Sequence, residues 1–197
     1  MDASPEKWLF SLIALAFIFL FIFIERKLRK GRDALDMVPT KEDRNSTRFV
    51  GLAFGICMMA IAASAILNIR SIAYYDWIWT SVIGIIGMSG GILMRVSASK
   101  TLGRFYTRIL KITDNHQLVE DGLYKYIRHP GYLADIILFI SAGITSRNLI
   151  CLSVILITIL PAYLYRISVE ERMLVEQFGD LYIAYQKRSW RLVPGLF

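Results

Sequence analysis

Residues 132–165 read YLADIILFISAGITSRNLICLSVILITILPAYLY, two apolar stretches that are separated by three polar residues. The stretches cover residues 132–145 and 149–165, and Ser146-Arg147-Asn148 joins them. So short a connection between two helix-length stretches predicts a tight antiparallel helical hairpin. The first arm is short and carries Asp135, so we expect it to tilt, to end early or to pack inside protein, where the acid needs a partner.

Three further uncharged stretches precede the hairpin, at residues 8–24, 49–67 and 77–94. About 20 apolar residues in a helix cross the roughly 30 Å hydrocarbon core of a bilayer. The chain is 55% hydrophobic with a mean hydropathy of +0.48, which excludes an ordinary soluble domain. The sequence therefore predicts an all-α integral membrane protein with about five transmembrane helices, the last two forming the hairpin.

We expect the 197 residues to form a single membrane-embedded domain. Residues 1–99 would carry three transmembrane helices, and residues 100–197 would carry the hairpin at 131–165 and a C-terminal segment. The first apolar stretch lacks the basic leader and the cleavage site of a signal peptide, so it is predicted to remain as an anchor.

Basic residues are concentrated in three segments, residues 25–48, 95–128 and 166–197, which hold 20 of the 23 lysines and arginines. The positive-inside rule therefore places the amino terminus outside and the carboxyl terminus in the cytoplasm. Basic loops beside a membrane also explain the net charge of +7, so we predict no nucleic-acid partner.

Small residues in the apolar stretches favour close packing. Gly51-x-x-x-Gly55 and Gly87-x-x-x-Gly91 have the spacing that lets membrane helices approach closely, either within the chain or in a dimer. Cys57 and Cys151 lie inside apolar stretches without the spacing of a disulfide framework or a zinc site, and are interpreted as packing residues. We predict no metal site, and the sequence leaves the oligomeric state open.

Two polar blocks bracket the hairpin, at residues 115–132 and 170–188. A tight hairpin brings them together at one membrane face, which predicts a composite cytoplasmic pocket for a cofactor. In the first block, Gly122 indicates a turn with a positive φ, and Pro130 suits the first position of a helix. Arg128 and His129 beside that helix start would hold a carboxylate or phosphate, or alternatively meet lipid phosphate.

The second block places two acids in one helix, which Gly179 is expected to end, and two tyrosines after that glycine. Glu171 lies on one helical face, whereas Glu170 follows Arg166 by four residues and is open to an ordinary intrahelical ion pair. Tyr182 and Tyr185 share the next face, where an interfacial aromatic belt is the alternative to a role in a pocket.

The order of these motifs resembles the isoprenylcysteine carboxyl methyltransferase family. The resemblance covers residues 101–194 and is carried by Leu102-Gly103, Leu118-Val119, Gly122-Leu123-Tyr124, Arg128-His129-Pro130 with Tyr132, Glu170-Glu171, Phe178-Gly179, Tyr182, Tyr185, Arg188 and Pro194. It implies methyl transfer from S-adenosylmethionine to the carboxylate of a C-terminal prenylated cysteine, by direct in-line displacement, with S-adenosylhomocysteine as product. The implied partners are the prenylated cysteine substrate and membrane lipid.

The resemblance also implies roles for individual residues. Arg188, with Arg128 second, would hold the substrate carboxylate, and Glu171 or Glu170 would orient that arginine. The residues implied to contact the cofactor are His116, Gln117, Leu118, Val119, Gly122, Tyr124, Arg128, His129, Pro130, Tyr132, Glu171 and Tyr185.

Two departures from the family pattern, at Leu123 and Ala134, leave the substrate subgroup open. A phospholipid or other lipid amine N-methyltransferase is one alternative, and it predicts a base near the methyl group. A sterol-reductase-like enzyme that uses NADPH is another, and a non-enzymatic membrane scaffold is the third.

Overall fold

The computed structural model describes residues 5–28, 43–103 and 118–196. Residues 104–117 lie outside this range, and with them the predicted cofactor residues His116 and Gln117. The described part is helical, with one short 3-10 helix at Gly122–Lys125. The α-helices are α1 (Glu6–Leu28), α2 (Ser46–Ile69), α3 (Ile78–Leu102), α4 (Pro130–Thr145), α5 (Leu149–Phe178) and α6 (Asp180–Arg188).

Four of these helices, α1, α2, α3 and α5, are long and apolar enough to cross a membrane. The 16-residue helix α4 is apolar but shorter. Large apolar side chains stay exposed along the long helices, as a lipid-facing surface requires; among them are Phe19, Leu52, Met59, Ile86, Leu93 and Ile157. The prediction of an all-α multi-pass integral membrane protein is confirmed.

The hairpin is confirmed, and α4 is its inner arm. Ten of the sixteen residues of α4 are buried, because α3 packs along one side of it and α1 and α5 also contact it. Asp135 is buried within this packing, with Arg95 Nη1 at 3.3 Å and the Tyr163 hydroxyl donating at 2.6 Å to its Oδ2. The expected partner of the buried acid therefore exists, and Arg95 also binds Glu25 of α1.

Glycines in α3 allow α4 to approach closely. A Cβ at Gly84 would lie 2.6 Å from the Ser141 carbonyl oxygen, and one at Gly91 would lie 2.9 Å from the Ala134 carbonyl oxygen. The second Gly-x-x-x-Gly spacing thus packs within the chain. At Gly51 and Gly55, in contrast, no described residue comes within 4 Å of the position that a Cβ would take.

A core of aliphatic side chains joins α1, α2, α4 and α5. Ile18, Ile61, Phe139 and Ile155 are fully buried there. Cys57 and Cys151 are free and buried, which confirms them as packing residues. Helix α5 runs without interruption through Pro161 and ends at Gly179, whose φ of 53° suits glycine.

We call the end of the bundle that holds residues 70–77 and 146–148 the turn end, and the opposite end, with residues 118–132 and 170–191, the site end. At the turn end, Asn68 donates to the Ser146 carbonyl at 2.7 Å, and Asn148 donates to Asn68 at 2.8 Å. Arg147 is buried there and pairs with Asp76. These bonds fix the hairpin turn against α2, and so hold both arms in register.

Candidate functional site at one end of the helix bundle

The two polar blocks meet at the site end. The Arg128 amide donates to the Trp190 carbonyl at 2.8 Å, and the Trp190 amide donates to the Tyr126 carbonyl at 2.8 Å. One residue further on, the His129 amide donates to the Arg191 carbonyl at 3.2 Å. Backbone pairing therefore joins the segment before α4 to the segment after α6, and the predicted proximity of the two blocks is confirmed.

Glu171 lies at the centre of this junction and is almost fully buried. Its Oε1 accepts from Arg128 Nε at 2.8 Å, and its Oε2 lies 2.7 Å from Arg191 Nη2. Its side chain is only 6% exposed, so the two guanidinium groups are what make its ionised form tolerable there. Glu171 consequently orients two arginines from two different segments.

The guanidinium of Arg128 binds both a carboxylate and backbone carbonyl oxygens. Besides Glu171, it donates through Nη1 to the carbonyl oxygens of Gln186, at 3.1 Å, and of Ser189. These carbonyls lie at the end of α6, where helix carbonyls lack intrahelical partners and a cation is favourable. Arg128 therefore ties α6 to the start of α4.

His129 immediately precedes α4, which begins at Pro130 as predicted. The imidazole is buried between the two acids: Nδ1 lies 3.6 Å from Glu170 Oε2, and Nε2 lies 3.4 Å from Glu171 Oε1. Neither approach is a hydrogen bond in this arrangement. The ring stacks on Tyr132, with centroids 5.6 Å apart and planes 7° apart.

Tyr132 is held in turn by Arg166 of α5, whose Nε donates to its hydroxyl at 2.9 Å. Arg166 is buried and also reaches the start of α2, where it donates to Thr47 Oγ1 at 2.9 Å. Asp43, which caps that helix, lies 3.6 Å from the same guanidinium group. The wall of the site beside His129 is thus connected to α2 through buried polar contacts.

Tyr182 and Tyr185 are both buried on one face of α6, where they do not form an exposed aromatic belt. The Tyr185 hydroxyl donates to the Tyr124 carbonyl at 2.5 Å, which binds α6 to the 3-10 helix. Burial, together with the carboxylate of Glu120, raises the pKa of Tyr185 to about 12. Burial and the carboxylates of Glu171 and Glu170 hold the pKa of Tyr182 well above its usual range.

Three buried polar atoms of this site lack a hydrogen-bond partner among the described residues. They are His129 Nε2, Glu170 Oε2 and Tyr182 Oη. Buried polar atoms are ordinarily paired, so these three indicate a place where water or a polar ligand binds.

Arg188 lies apart from the Glu171 cluster. It ends α6 with a side chain that is 56% exposed, pairs with Glu120 and approaches the Tyr185 ring to 5.9 Å. Of the other predicted residues, Tyr124 is buried, Leu118 and Val119 precede the turn, and Gly122 adopts the expected positive φ of 58°.

Sequence reasoning missed Arg191 as a member of the site and Tyr182 as a residue facing the acids. Arg191 follows α6 in a non-helical segment, where helical spacing has no meaning, so no pattern marks it. Tyr182 does carry a signal, because it lies three residues before Tyr185 and therefore on the same helical face.

The fold and the site together define a polytopic helical membrane protein with a buried cluster of charges at one end of its helices. Known proteins are similar to this chain in sequence and in fold. The model of the isoprenylcysteine carboxyl methyltransferase family matches residues 82–176, which include Arg128, His129, Glu170 and Glu171. Through this segment the chain is similar to that family.

Individual proteins that are similar to this chain carry the name of the same family. The chain is 28% identical over 142 residues to protein-S-isoprenylcysteine O-methyltransferase B of Arabidopsis thaliana, covering 69% of this chain and 72% of that protein. It is 32% identical over 112 residues to the Xenopus laevis methyltransferase, covering 56% of this chain and 39% of that protein. A probable methyltransferase of Oryza sativa subsp. indica is 26% identical over 98% of both chains.

A solved structure of the eukaryotic intramembrane Ras methyltransferase, isoprenylcysteine carboxyl methyltransferase, has the same fold. The TM-score is 0.63 with 22% sequence identity, covering all of this chain and 70% of that one. The sequence matches to the Dictyostelium discoideum and Schizosaccharomyces pombe methyltransferases span only about half of those proteins, 49% of each.

Proposed function

We propose that this protein is an S-adenosylmethionine-dependent methyltransferase that methylates the carboxylate of a C-terminal isoprenylated cysteine. The observation that carries the proposal is that the segment matching the family model contains Arg128, His129, Glu170 and Glu171, and that the fold gathers these four side chains into one cluster. The named activity of the relatives supports the substrate class.

The position of the cluster suits such a substrate. A prenyl chain gains about 0.8 kcal/mol for each CH₂ that enters the bilayer, so its cysteine carboxylate lies at the membrane surface. The site end lies where the long helices end, and the basic segments at 25–48, 95–128 and 166–197 favour placing it in the cytoplasm. A water-borne cofactor would then enter from the cytoplasm and the lipid substrate from between helices.

The residues of the site fit the cofactor. The three buried atoms that lack partners in the described part of the chain call for a polar ligand, and the aromatic rings of Tyr132 and Tyr185 suit a sulfonium cation. We propose that His129 and the start of α4 at Pro130 bind the methionyl group. The backbone at Leu118, Val119 and Gly122 would bind the adenosine. When bound, S-adenosylmethionine supplies an electrophilic methyl group.

The substrate carboxylate needs little chemical activation. A carboxylic acid has a pKa of about 4, so the nucleophile is already ionised and no strong base is required. The protein must instead hold and partly desolvate it, without a covalent enzyme intermediate. We propose that Arg188, which is exposed and lies outside the Glu171 cluster, binds this carboxylate, while Glu171 holds Arg128 and Arg191 in place.

Ligand binding tests the class of enzyme. Purified, detergent-solubilised protein is heated with S-adenosylhomocysteine, with NADPH or with neither. A ligand present at 100 times its Kd stabilises the native state by about 2.7 kcal/mol, so the unfolding midpoint should rise with S-adenosylhomocysteine alone. A rise with NADPH alone would move the protein to the reductase class, and no rise with either would favour a scaffold.

Transfer to matched acceptors tests the substrate. A small S-prenylated cysteine with a free carboxylate should accept a methyl group, whereas its carboxamide should not. Methylation of a phospholipid amine, with a rate that rises as the amine loses its proton, would instead establish the amine methyltransferase alternative.

A further inference from the structure

The turn end contains a buried arginine with one donor group left over. Arg147 is 1% exposed, and its backbone has a φ of 56°, in the left-handed region that residues other than glycine rarely occupy. Its Nε donates to the Tyr75 carbonyl at 3.2 Å, and its Nη2 pairs with Asp76. Its Nη1 is buried and has no hydrogen-bond partner among the described residues. The guanidinium group therefore offers a further donor in a place where an unpaired donor is costly.

The charge of this arginine is only partly neutralised. Its acidic partner, Asp76, has a side chain that is 79% exposed, so water weakens the attraction between them. A second cation lies beside the same aromatic ring, because Arg147 Cζ is 5.0 Å and Lys7 Nζ is 5.8 Å from the ring centroid of Tyr74. Lys7 also donates to Ser71 Oγ at 3.0 Å, which holds it at the turn end. The side chains of Lys7, Asp76 and Arg147 together carry a net positive charge.

The turn end also has the features of a membrane surface. The long helices α1, α3 and α5 all begin there, and α2 ends there. Trp77 and Trp79 lie at the start of α3 and are largely exposed, as is Ile78 between them. Tryptophan is enriched where a bilayer meets water, at the level of the lipid headgroups. An anion bound beside Lys7 and Arg147 would therefore lie among lipid headgroups.

We propose that Lys7 and Arg147 form a binding site for the phosphate group of an anionic phospholipid. Arginine binds phosphate through charge-assisted hydrogen bonds, and lysine binds it as a point charge. Arg147 Nη1 donates to a phosphate oxygen, and Lys7 supplies the second positive charge. Asp76 lies beside the site and repels the phosphate. This inference does not depend on the proposed function, because the turn end is the opposite end of the bundle from the Glu171 cluster.

The experiment counts the lipids that the whole chain retains. Protein in detergent is incubated with equal amounts of dioleoylphosphatidylglycerol and dioleoylphosphatidylcholine and is then analysed by native mass spectrometry. Both lipids contain a phosphate and the same acyl chains, but the choline of the second cancels its charge. In a second arm, the unfolding midpoint is measured with each lipid and with inorganic phosphate, which separates a lipid headgroup from free phosphate.

Three substitutions leave the buried arginine in place, because its bond to the Tyr75 carbonyl holds the hairpin turn. Lys7→Met removes one positive charge and keeps an unbranched side chain. Asp76→Asn removes the repelling charge and keeps the shape. Lys125→Met is the matched control, because Lys125 Nζ also lies 5.8 Å from the centroid of a tyrosine ring, but at the site end.

The wild type should retain one phosphatidylglycerol in preference to phosphatidylcholine. Lys7→Met should weaken this retention about fivefold, which is the contribution of one cation near a membrane surface. Asp76→Asn should strengthen it by a similar factor, and phosphatidylglycerol should raise the unfolding midpoint of this variant more than that of the wild type. Lys125→Met should behave as the wild type does.

Other outcomes overturn the inference in distinguishable ways. If the pair of Arg147 and Asp76 only holds the turn, Asp76→Asn will lower the unfolding midpoint and leave lipid retention unchanged. Equal retention of the two lipids would show that the turn end does not recognise an anionic headgroup. Equal effects of Lys7→Met and Lys125→Met would indicate a general attraction between charges. A rise in midpoint with inorganic phosphate, without preferential retention of lipid, would assign the site to free phosphate.

Discussion

At the residue scale, a single buried carboxylate organises the charged site. Glu171 is 6% exposed and receives Arg128 from the segment before α4 and Arg191 from the segment after α6. Removing one partner of a buried ion pair leaves an uncompensated charge, which is why such clusters tolerate change poorly. Glu171 therefore holds Arg128 and Arg191 in position without a ligand.

Replacing Arg188 separates binding of the substrate from binding of the cofactor. We expect Arg188→Ala to lower kcat/KM for methyl transfer at least about a hundredfold, about 2.7 kcal/mol in transition-state stabilisation, while leaving the Kd of S-adenosylhomocysteine nearly unchanged. Its side chain is 56% exposed and lies outside the Glu171 cluster. It approaches the Tyr185 ring to 5.9 Å, but the hydroxyl of Tyr185 is bound to the Tyr124 carbonyl, so the loss of Arg188 should leave the cofactor residues in place.

Lys187→Ala is the matched control for this variant. Lys187 precedes Arg188 on α6, is exposed and carries the same charge. Its replacement should leave both methyl transfer and ligand binding as in the wild type. A loss of S-adenosylhomocysteine affinity as large as the loss of turnover in Arg188→Ala would show that Arg188 serves the cofactor.

At the element scale, the placement of α4 depends on its contact with α3. Helix α4 is too short to be one of the long spans, and it is buried against the glycine face of α3. Because His129 and Tyr132 lie at its start, a shift of α4 moves the site directly. The glycines of α3 therefore influence the position of the site residues, because they set how closely α4 packs against α3.

Paired glycine substitutions test this contact. Gly91→Ala places a methyl group 2.9 Å from the Ala134 carbonyl oxygen and should destabilise the protein by about 1–3 kcal/mol. Gly55→Ala meets no described residue within 4 Å and should be neutral or stabilising by about 0.5–1 kcal/mol, since alanine favours a helix. Unfolding midpoints in detergent report both; a destabilised Gly55→Ala would indicate that this face packs in a dimer.

At the scale of the whole molecule, the bundle has two unlike ends. The turn end is sealed by amide and arginine contacts such as Asn68 with Asn148, whereas the site end carries the charged cluster. The described helix ends that border the basic segments lie at the site end, so the positive-inside rule predicts that this end faces the cytoplasm.

Thiol labelling tests this orientation. The native Cys57 and Cys151 are buried, so introduced cysteines are the reactive ones. In intact cells, a membrane-impermeant reagent should label Arg70→Cys at the turn end, and should label Lys187→Cys at the site end only after permeabilisation. The reverse pattern would place the site end outside and contradict a cytoplasmic cofactor site.

Much of the architecture follows from the sequence alone, because bilayer insertion depends on the length of apolar runs. The long spans, the hairpin around Ser146-Arg147-Asn148 and the helix start at Pro130 were all predictable from local patterns. The meeting of the two polar blocks was also predictable, since a short turn brings its flanking segments together.

Only the tertiary structure decided which side chains meet within those blocks. Whether two side chains form a hydrogen bond depends on a few tenths of an ångström in the distance between them. Sequence spacing indicates only the helical face on which a residue lies. The sequence could not separate Glu170 from Glu171, and it offered no pattern for Arg191, which follows the last helix. Burial and partner choice separate them: Glu171 binds two arginines, and Glu170 keeps an open acceptor beside His129.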